Sequence, residues 1–393
     1  MKILFINTVS HYGSTGKIVD NLIKVAQSRG HHTFSIFGRG NSYSKIEFKN
    51  QSTIGFYLHV MFTRLFDLHG LLSLIPSYKT IYKIKKNKPD VINIHNLHGY
   101  YINYVILFHF LKKIKIPIVW TLHDCWSFTG HCTHFDYIKC SKWKNQCNLC
   151  PSKKDYPASY IFDFSQNNYR IKKNTFTSIK NITFITPSDW LKKLVQSSFF
   201  KNYYIKTINN GIDLFQDFKY IPGVKDDKIV LAVASPWTKR KGYNDLNYIA
   251  KKLKDYCTFV IIGLSEKQIT ELPNYCNKIK RTNNLQELSL WYNKATVFIN
   301  PTYEDNFPTT NLEALASGTP VITYDTGGSS EAIDSSTGII VKQGDLESLT
   351  DTVISVLNKD IVFDSSVCRK RAEEHYDRYL KFNEYIDLFE TLI

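Results

Sequence analysis

In the stretch NPTYEDNFPTTNLEALASGTPVITYDTGGSSEAI, Asn300–Ile333, an apolar run ends in an acidic loop, and Pro308 opens a helical pattern that Gly318 closes. The loop EDNF then lies at a helix N-terminus, where unsatisfied backbone N–H groups and the positive end of the helix dipole can hold a diphosphate. Glu313 projects from that helix to hydrogen-bond ribose hydroxyls. The same spacing also fits a plain strand–helix unit whose acids are solvated. In NTVSHYGSTGKIVDNL, Gly13 and Gly16 fall between a strand and a helix and let the backbone approach a phosphate or sugar, although a tight βα connection uses glycine in the same way. GSTGK lacks the spacing and the final Ser or Thr of a P-loop. INIHNLHGYYIN and WTLHDCWSFTGHC end two further strands, which sets His95, His98, His123 and Asp124 at strand ends, where a histidine serves either a ligand or the local packing.

A second cluster is built on sulfur. Cys132, Cys140, Cys147 and Cys150 finish in Cys-Asn-Leu-Cys-Pro, a spacing that suggests a tetrahedral structural zinc with His131 and His134 as reserve ligands. A redox-labile disulfide pair and uncoordinated core thiols are the other readings. Cys257, Cys276 and Cys368 are isolated and read as core.

These residues need a scaffold, and the chain supplies a regular one. Apolar runs of strand length (KILFIN, TFSIFG, DVINIHN, IPIVWTLHD, ITFITPS) alternate with amphipathic helical stretches such as Gly16–Ser28 and Asp189–Ser197. KIVLAVAS, CTFVIIG, ATVFINP and PVITYDT repeat the rhythm. This is α/β architecture with two parallel sheets, and ligand sites are expected at the carboxyl ends of the strands in a crevice between two domains. The polar stretch QDFKYIPGVKDDK near residue 215 reads as a linker between residues 1–205, which carry the Cys-rich segment 125–151, and residues 206–370. Residues 371–393 are expected to form a terminal helix that packs back across the domains.

With these motifs in view, residues 300–333 resemble the donor-binding signature of retaining glycosyltransferases of family 4, whose GT-B fold is two facing Rossmann-like domains. The resemblance implies that Asp305, Phe307 and Glu313 contact the sugar and ribose of a nucleotide-sugar, with Asn306, Pro308 and Thr309 in the same loop. Asp305 stands where that family usually has Glu, and Glu304 is adjacent. LAVASPWTKRKGYNDL, Leu231–Leu246, is similar to the family's diphosphate clamp: Lys241-Gly242 matches, Ser235 occupies the usual Arg position, and Lys239 or Arg240 supplies the second cation. Gly16 matches the glycine-rich first loop, and His123 the position beside the donor sugar. His95, His98 and Asp124 fall on the acceptor side. The catalytic set implied is His123, Lys241, Asp305 and Glu313. The HGYY and cysteine segments look most like the branch that builds capsule, O-antigen and other surface polysaccharides.

The activity implied is a hexosyltransferase-type, retaining transfer from a nucleotide-diphosphate sugar to a hydroxyl of a glycan acceptor, lipid-linked, in bacterial polysaccharide synthesis. A catalytically silent nucleotide-sugar or lipid-binding scaffold of a synthesis complex is the alternative. No Asp-X-Asp occurs, so no catalytic metal is expected and fixed positive charge faces the leaving diphosphate.

Composition bounds these readings. The chain has 393 residues, 43% hydrophobic and 22% charged, as in an ordinary globular protein. Its net charge is +15, and residues 1–200 hold 27 Lys and Arg against 9 Asp and Glu. KTIYKIKKNK (79–88) and LKKIK (111–115), with an amphipathic stretch at 56–75, point to an anionic membrane surface. The stretch 54–75 is too polar to span a bilayer, and MKILFINTVS reads as a first strand and not a signal peptide. The expected location is cytoplasmic, peripheral at the inner face of the membrane. A nucleic-acid partner is not expected, because the carboxyl half is not basic and no aromatic-basic surface motif occurs.

Overall fold

Runs such as VINI, IVWT and ITFIT are buried along their whole length, as parallel strands covered on both faces must be. A computed structural model describes residues 1–226 and 228–393; Asp227, within the expected linker, lies outside the described residues. The chain divides into two units, Met1–Asn209 joined by Phe382–Ile393, and Asn210–Lys381.

The first unit runs β1 (Lys2–Val9), α1 (Gly13–Ser28), β2 (His32–Arg39), β3 (Glu47–Lys49), α2 (Thr53–Phe66), α3 (Leu74–Asn87), β4 (Val91–Ile94), α4 (Tyr104–Leu111), β5 (Ile118–Thr121), α5 (Ser165–Phe176), β6 (Ile182–Thr186), α6 (Asp189–Gln196) and β7 (Tyr204–Thr207). Its seven strands are parallel in the order β3-β2-β1-β4-β5-β6-β7. The second runs β8 (Ile229–Val233), α7 (Leu246–Leu253), β9 (Thr258–Ile262), α8 (Glu266–Glu271), β10 (Asn277–Ile279), α9 (Leu285–Lys294), β11 (Val297–Asn300), α10 (Thr309–Ala316), β12 (Val321–Tyr324), β13 (Gly338–Val341), α11 (Leu346–Leu357) and α12 (Ser365–Tyr376), followed by α13 (Arg378–Thr391). Its parallel order is β10-β9-β8-β11-β12-β13.

In both sheets the strand order reverses beside the first strand, between β1 and β4 and between β8 and β11. Loops leaving two such strands part to opposite faces of the sheet and open a crevice at their carboxyl ends, where ligands of doubly wound sheets bind. Each sheet has an apolar core on both faces.

Three sequence expectations change in detail. Helix α1 starts at Gly13, so Gly13 and Gly16 lie in its first turn and not in a loop before it. Pro308 is the residue before α10, with Thr309 the first helical position. The terminal stretch is two helices, because Asp377 is extended between α12 and α13. Its last part, Phe382–Ile393, belongs to the first unit, where Phe382, Ile386 and Phe389 pack with Phe5 and Leu22. Among the described residues no helix is long and apolar enough to cross a membrane.

Candidate active site

In the second unit, the loops that leave β8 and β11 are locked together. After β8 the chain makes a short 3-10 turn, Lys239–Lys241, and Gly242 ends it at φ +83, a left-handed conformation that suits glycine. A Cβ on Gly242 would stand 2.2 Å from the Pro301 carbonyl oxygen, so the absence of a side chain lets the two loops touch. The Arg240 guanidinium donates to the Glu304 carbonyl, and Tyr303 N donates back to the Arg240 carbonyl at 2.8 Å. The Lys241 ammonium pairs with Asp305 Oδ2.

This geometry separates the two adjacent acids. Glu304 is fully buried, whereas Asp305 keeps part of its carboxylate at the surface beside Lys241. Gly327, at φ +55, presses against the Asp305 carbonyl, and Gly328 N donates to it at 2.9 Å, so the acid is held from both sides. Asn306 is buried. Phe307 turns its ring inward against Tyr376, with centroids 5.9 Å apart. Its part in the loop is thus anchorage, and the ring does not offer a stacking face.

Thr309 begins α10 directly after this loop, which sets the helix's free N–H groups beside it. One turn on, Glu313 is half-buried and its Oε2 accepts from Tyr292 OH at 3.0 Å. Tyr292 is fully buried and its hydroxyl is held protonated by burial first and by Glu313 second. Tyr292 lies on α9, too far back in sequence for spacing to reveal it. Asn300 and Asn311 brace the same turn through a 2.8 Å amide bond. Lys239 is exposed.

In the first unit, the residues at the ends of β4 and β5 form a hydrogen-bond chain. Asn93 Nδ2 donates to the Val119 carbonyl at 3.1 Å, so its Oδ1 faces His95 Nε2 at 2.7 Å as an acceptor. His95 Nε2 must then carry the proton, which leaves Nδ1 as the acceptor for His123 Nε2, 2.8 Å away. Burial, and secondarily His123, holds His95 neutral, its pKa well below the usual histidine range. Burial also brings His123 down to about 4 despite the opposing pull of Asp124. The result is a neutral His123 protonated on Nε2, which makes its Nδ1 an acceptor and not a donor. Asn93 was not legible as a member of this site.

Beside it, His98 Nε2 meets Asp124 Oδ2 at 2.7 Å and His98 Nδ1 meets Tyr156 OH at 3.1 Å. Burial alone would raise the Asp124 pKa, but the His98 charge and hydrogen bond outweigh it and hold the carboxyl at about 2. Gly16 is buried at the foot of this crevice, where an added Cβ would lie 3.3 Å from Val9 Cγ2, and Gly13 has open space around it at φ +66. The close approach at Gly16 is to the end of β1.

In the cysteine segment the thiols lie within electrostatic reach of one another. Cys132 and Cys150 hydrogen-bond to each other, and Cys147 Sγ accepts from Gly130 N at 3.2 Å. His131 spends its Nδ1 on Asp67 at 2.5 Å. Among the described residues no group of three or more His, Cys, Asp or Glu side chains stands where it could hold a metal ion.

Two doubly wound parallel sheets, with a basic-acidic loop pair at the switch point of the second, place the chain in the GT-B fold class. Solved relatives carry the same fold over the full chain: sucrose-phosphate synthase of Thermosynechococcus elongatus (TM-score 0.71, 14% identity, covering 100% of this chain and 98% of that one) and HepE of Anabaena in complex with UDP (TM-score 0.66, 17% identity, 100% of both). The family described as Glycosyltransferase Family 4 matches residues 15–215, and that described as Glycosyl transferases group 1 matches residues 227–359. The chain belongs to glycosyltransferase family 4. It is 25% identical over 344 residues to the putative colanic acid biosynthesis glycosyl transferase WcaC of Escherichia coli K12, 84% of this chain and 82% of that protein. It is 26% identical over 177 residues to the N,N'-diacetylbacillosaminyl-diphospho-undecaprenol alpha-1,3-N-acetylgalactosaminyltransferase of Campylobacter jejuni, 42% of this chain and 45% of that one.

Proposed function

We propose that the protein transfers a sugar, with retention of anomeric configuration, from a nucleotide-diphosphate sugar to a hydroxyl of a lipid-linked glycan during surface polysaccharide synthesis. The observation that carries this reading is the Lys241–Asp305 pair at the β8/β11 switch point, in the loop that leads into α10 and its oriented Glu313 carboxylate. A diphosphate arriving at the α10 N-terminus offers Lys241 more negative charge than one carboxylate does. The ammonium then shifts from Asp305 to phosphate, and Asp305 is left to accept from a hydroxyl of the sugar. Glu313, steadied by Tyr292, takes the ribose hydroxyls.

In the transfer step the bond between C1 and the phosphate oxygen breaks with its electron pair going to the diphosphate. The acceptor oxygen bonds to C1 on the same face, and the acceptor proton passes to the departing phosphate oxygen. Charge grows on the diphosphate as it leaves, so Lys241 and the helix dipole act most strongly there. His123 Nδ1 holds a sugar hydroxyl, and the His98–Asp124 pair serves the acceptor. The substrate classes named for the WcaC and Campylobacter relatives support a polysaccharide precursor on a lipid carrier, and hence a peripheral location at the inner face of the membrane.

Thermal shift with a panel of nucleotide sugars, starting with uridine diphosphate sugars, tests donor binding. A ligand at one hundred times its Kd stabilises by ~2.7 kcal/mol. Turnover with an acceptor extract and the anomeric configuration of the product then test transfer and retention. Saturable donor binding with no turnover of any donor would favour the silent scaffold.

A further inference from the structure

Helix α2 is built inside out. Ile54, Tyr57, Leu58, Met61 and Phe62 recur at the spacing that normally faces a core, yet all are exposed, Tyr57 by 65%. The residues α2 buries are His59 and Thr63. Inward, His59 Nδ1 donates to Ser73 Oγ at 2.7 Å and its Nε2 accepts from Gly70 N at 3.1 Å, and the C-cap Asp67 is fully buried against His131. These polar anchors fix which way the helix faces, so its apolar stripe cannot roll inward without stranding them.

The stripe continues onto neighbouring elements. Ser73 caps α3, whose first turns expose Leu74, Ile75 (70%) and Tyr78. The segment 160–162 lies along the last turn of α2 through Tyr160 N to Arg64 O at 2.7 Å and Phe162 N to Leu65 O at 3.1 Å, and adds exposed Tyr160 and Ile161. Between residues 50 and 89 the single acid is the buried Asp67, while Arg64, Lys79 and Lys83 flank the stripe. An apolar surface edged with tyrosine rings and cations, with no exposed acid on α2 or α3, complements the boundary between headgroups and acyl chains of an anionic bilayer.

We infer that this face of α2, with the start of α3 and the 160–162 segment, is the docking platform of the protein on an anionic phospholipid bilayer. The inference rests on the peripheral location proposed above and adds which surface makes the contact. The platform is continuous with the acceptor side: Phe56 packs on Tyr100 (5.6 Å between centroids), and Tyr100 on Tyr156, the partner of His98. A lipid-linked acceptor would therefore reach His98 from the bilayer along this face. The basic runs 79–88 and 111–115 pointed, with the amphipathic stretch 56–75, to a membrane surface; their last lysines, at 85–88 and 112–115, end α3 and α4 and precede β4 and β5, so they lie at the opposite edge of the sheet from His95 and His98. Attachment through them would turn the acceptor side away.

Co-sedimentation with vesicles of phosphatidylglycerol and phosphatidylethanolamine tests this, comparing wild type, Leu58→Glu/Met61→Glu and Lys86→Glu/Lys112→Glu. The platform variant is expected to lose affinity by roughly tenfold or more with donor binding unchanged, and the lysine variant to lose less. Hydrogen exchange on the wild-type protein is expected to slow at 54–62 and 74–78 when vesicles are added, a readout that does not depend on either variant folding. Loss in the lysine variant alone, with no protection at 54–62, overturns the platform and leaves the peripheral location standing. No vesicle binding by wild type overturns both. A concentration-dependent dimer abolished by Leu58→Glu/Met61→Glu assigns the face to a second copy and also overturns the platform.

Discussion

His123 Nε2 lies 2.8 Å from His95 Nδ1, and the Asn93 amide behind His95 determines which of the two rings donates. The protonation state of the residue assigned to the donor sugar is thus set two side chains away. Long-range nitrogen–carbon NMR correlations on labelled histidine are expected to show both rings neutral with the proton on Nε2 at pH 7. Asn93→Leu removes the acceptor that orients His95 and is expected to give mixed tautomers at both rings. It should lower kcat with little change in far-UV circular dichroism.

The same two histidines carry a pH signature. Their folded-state values lie below the ordinary 6.5, that of His123 at about 4. Between those limits the unfolded chain binds protons that the native state refuses, so stability rises with pH through this window and falls as pH drops from about 6.5 toward 4. The His123 contribution is on the order of 2–3 kcal/mol. Urea midpoints measured across this range are expected to shift less in His123→Gln than in wild type.

Lys241 is committed to Asp305 before any donor arrives, which separates the effects of the two residues. Lys241→Ala is expected to lower kcat/KM by roughly 10²- to 10³-fold, since it withdraws positive charge from the leaving group. Asp305→Asn frees Lys241 while weakening the grip on the sugar, so UDP alone is expected to bind as well as to wild type or better. Calorimetry with UDP and with a turned-over nucleotide sugar distinguishes these outcomes.

Tyr292→Phe keeps the ring in the core and removes one hydrogen bond to Glu313. A single such bond is worth about 1 kcal/mol, so donor KM is expected to rise roughly fivefold with kcat nearly unchanged. Glu313→Gln, which loses the charge as well, is expected to lose more.

Gly242→Ala combines a left-handed backbone with a 2.2 Å approach to the Pro301 carbonyl. A cost on the order of 3 kcal/mol follows, which is roughly a 6–12 °C fall in Tm for a unit of this size. Donor affinity should fall with it, because the Lys241 loop is no longer held against the Asp305 loop.

Much of the scaffold could be read directly, because strands buried on both faces are written as unbroken apolar runs, and VINI or ITFIT permit little else. The acidic loop and the helix behind it were equally plain, since proline and glycine mark both ends. What could not be read was orientation. Glu304 and Asp305 are neighbours in sequence, and only the loop geometry buries one and exposes the other. The amphipathic stretch that contains α2 was legible, but not which side of it faces in, which His59 and Asp67 fix. Asn93 and Tyr292 escaped for another reason: each acts through the residue it orients, His95 and Glu313.

The return of Phe382–Ile393 to the first unit has a consequence for biosynthesis. Phe5 and Leu22 are made before residues 210–381, and the partners that cover them, Phe382, Ile386 and Phe389, are made after. The part of that sheet face which α1 does not cover therefore stays open in the nascent chain while the other unit is translated, and it is sealed only when α13 emerges.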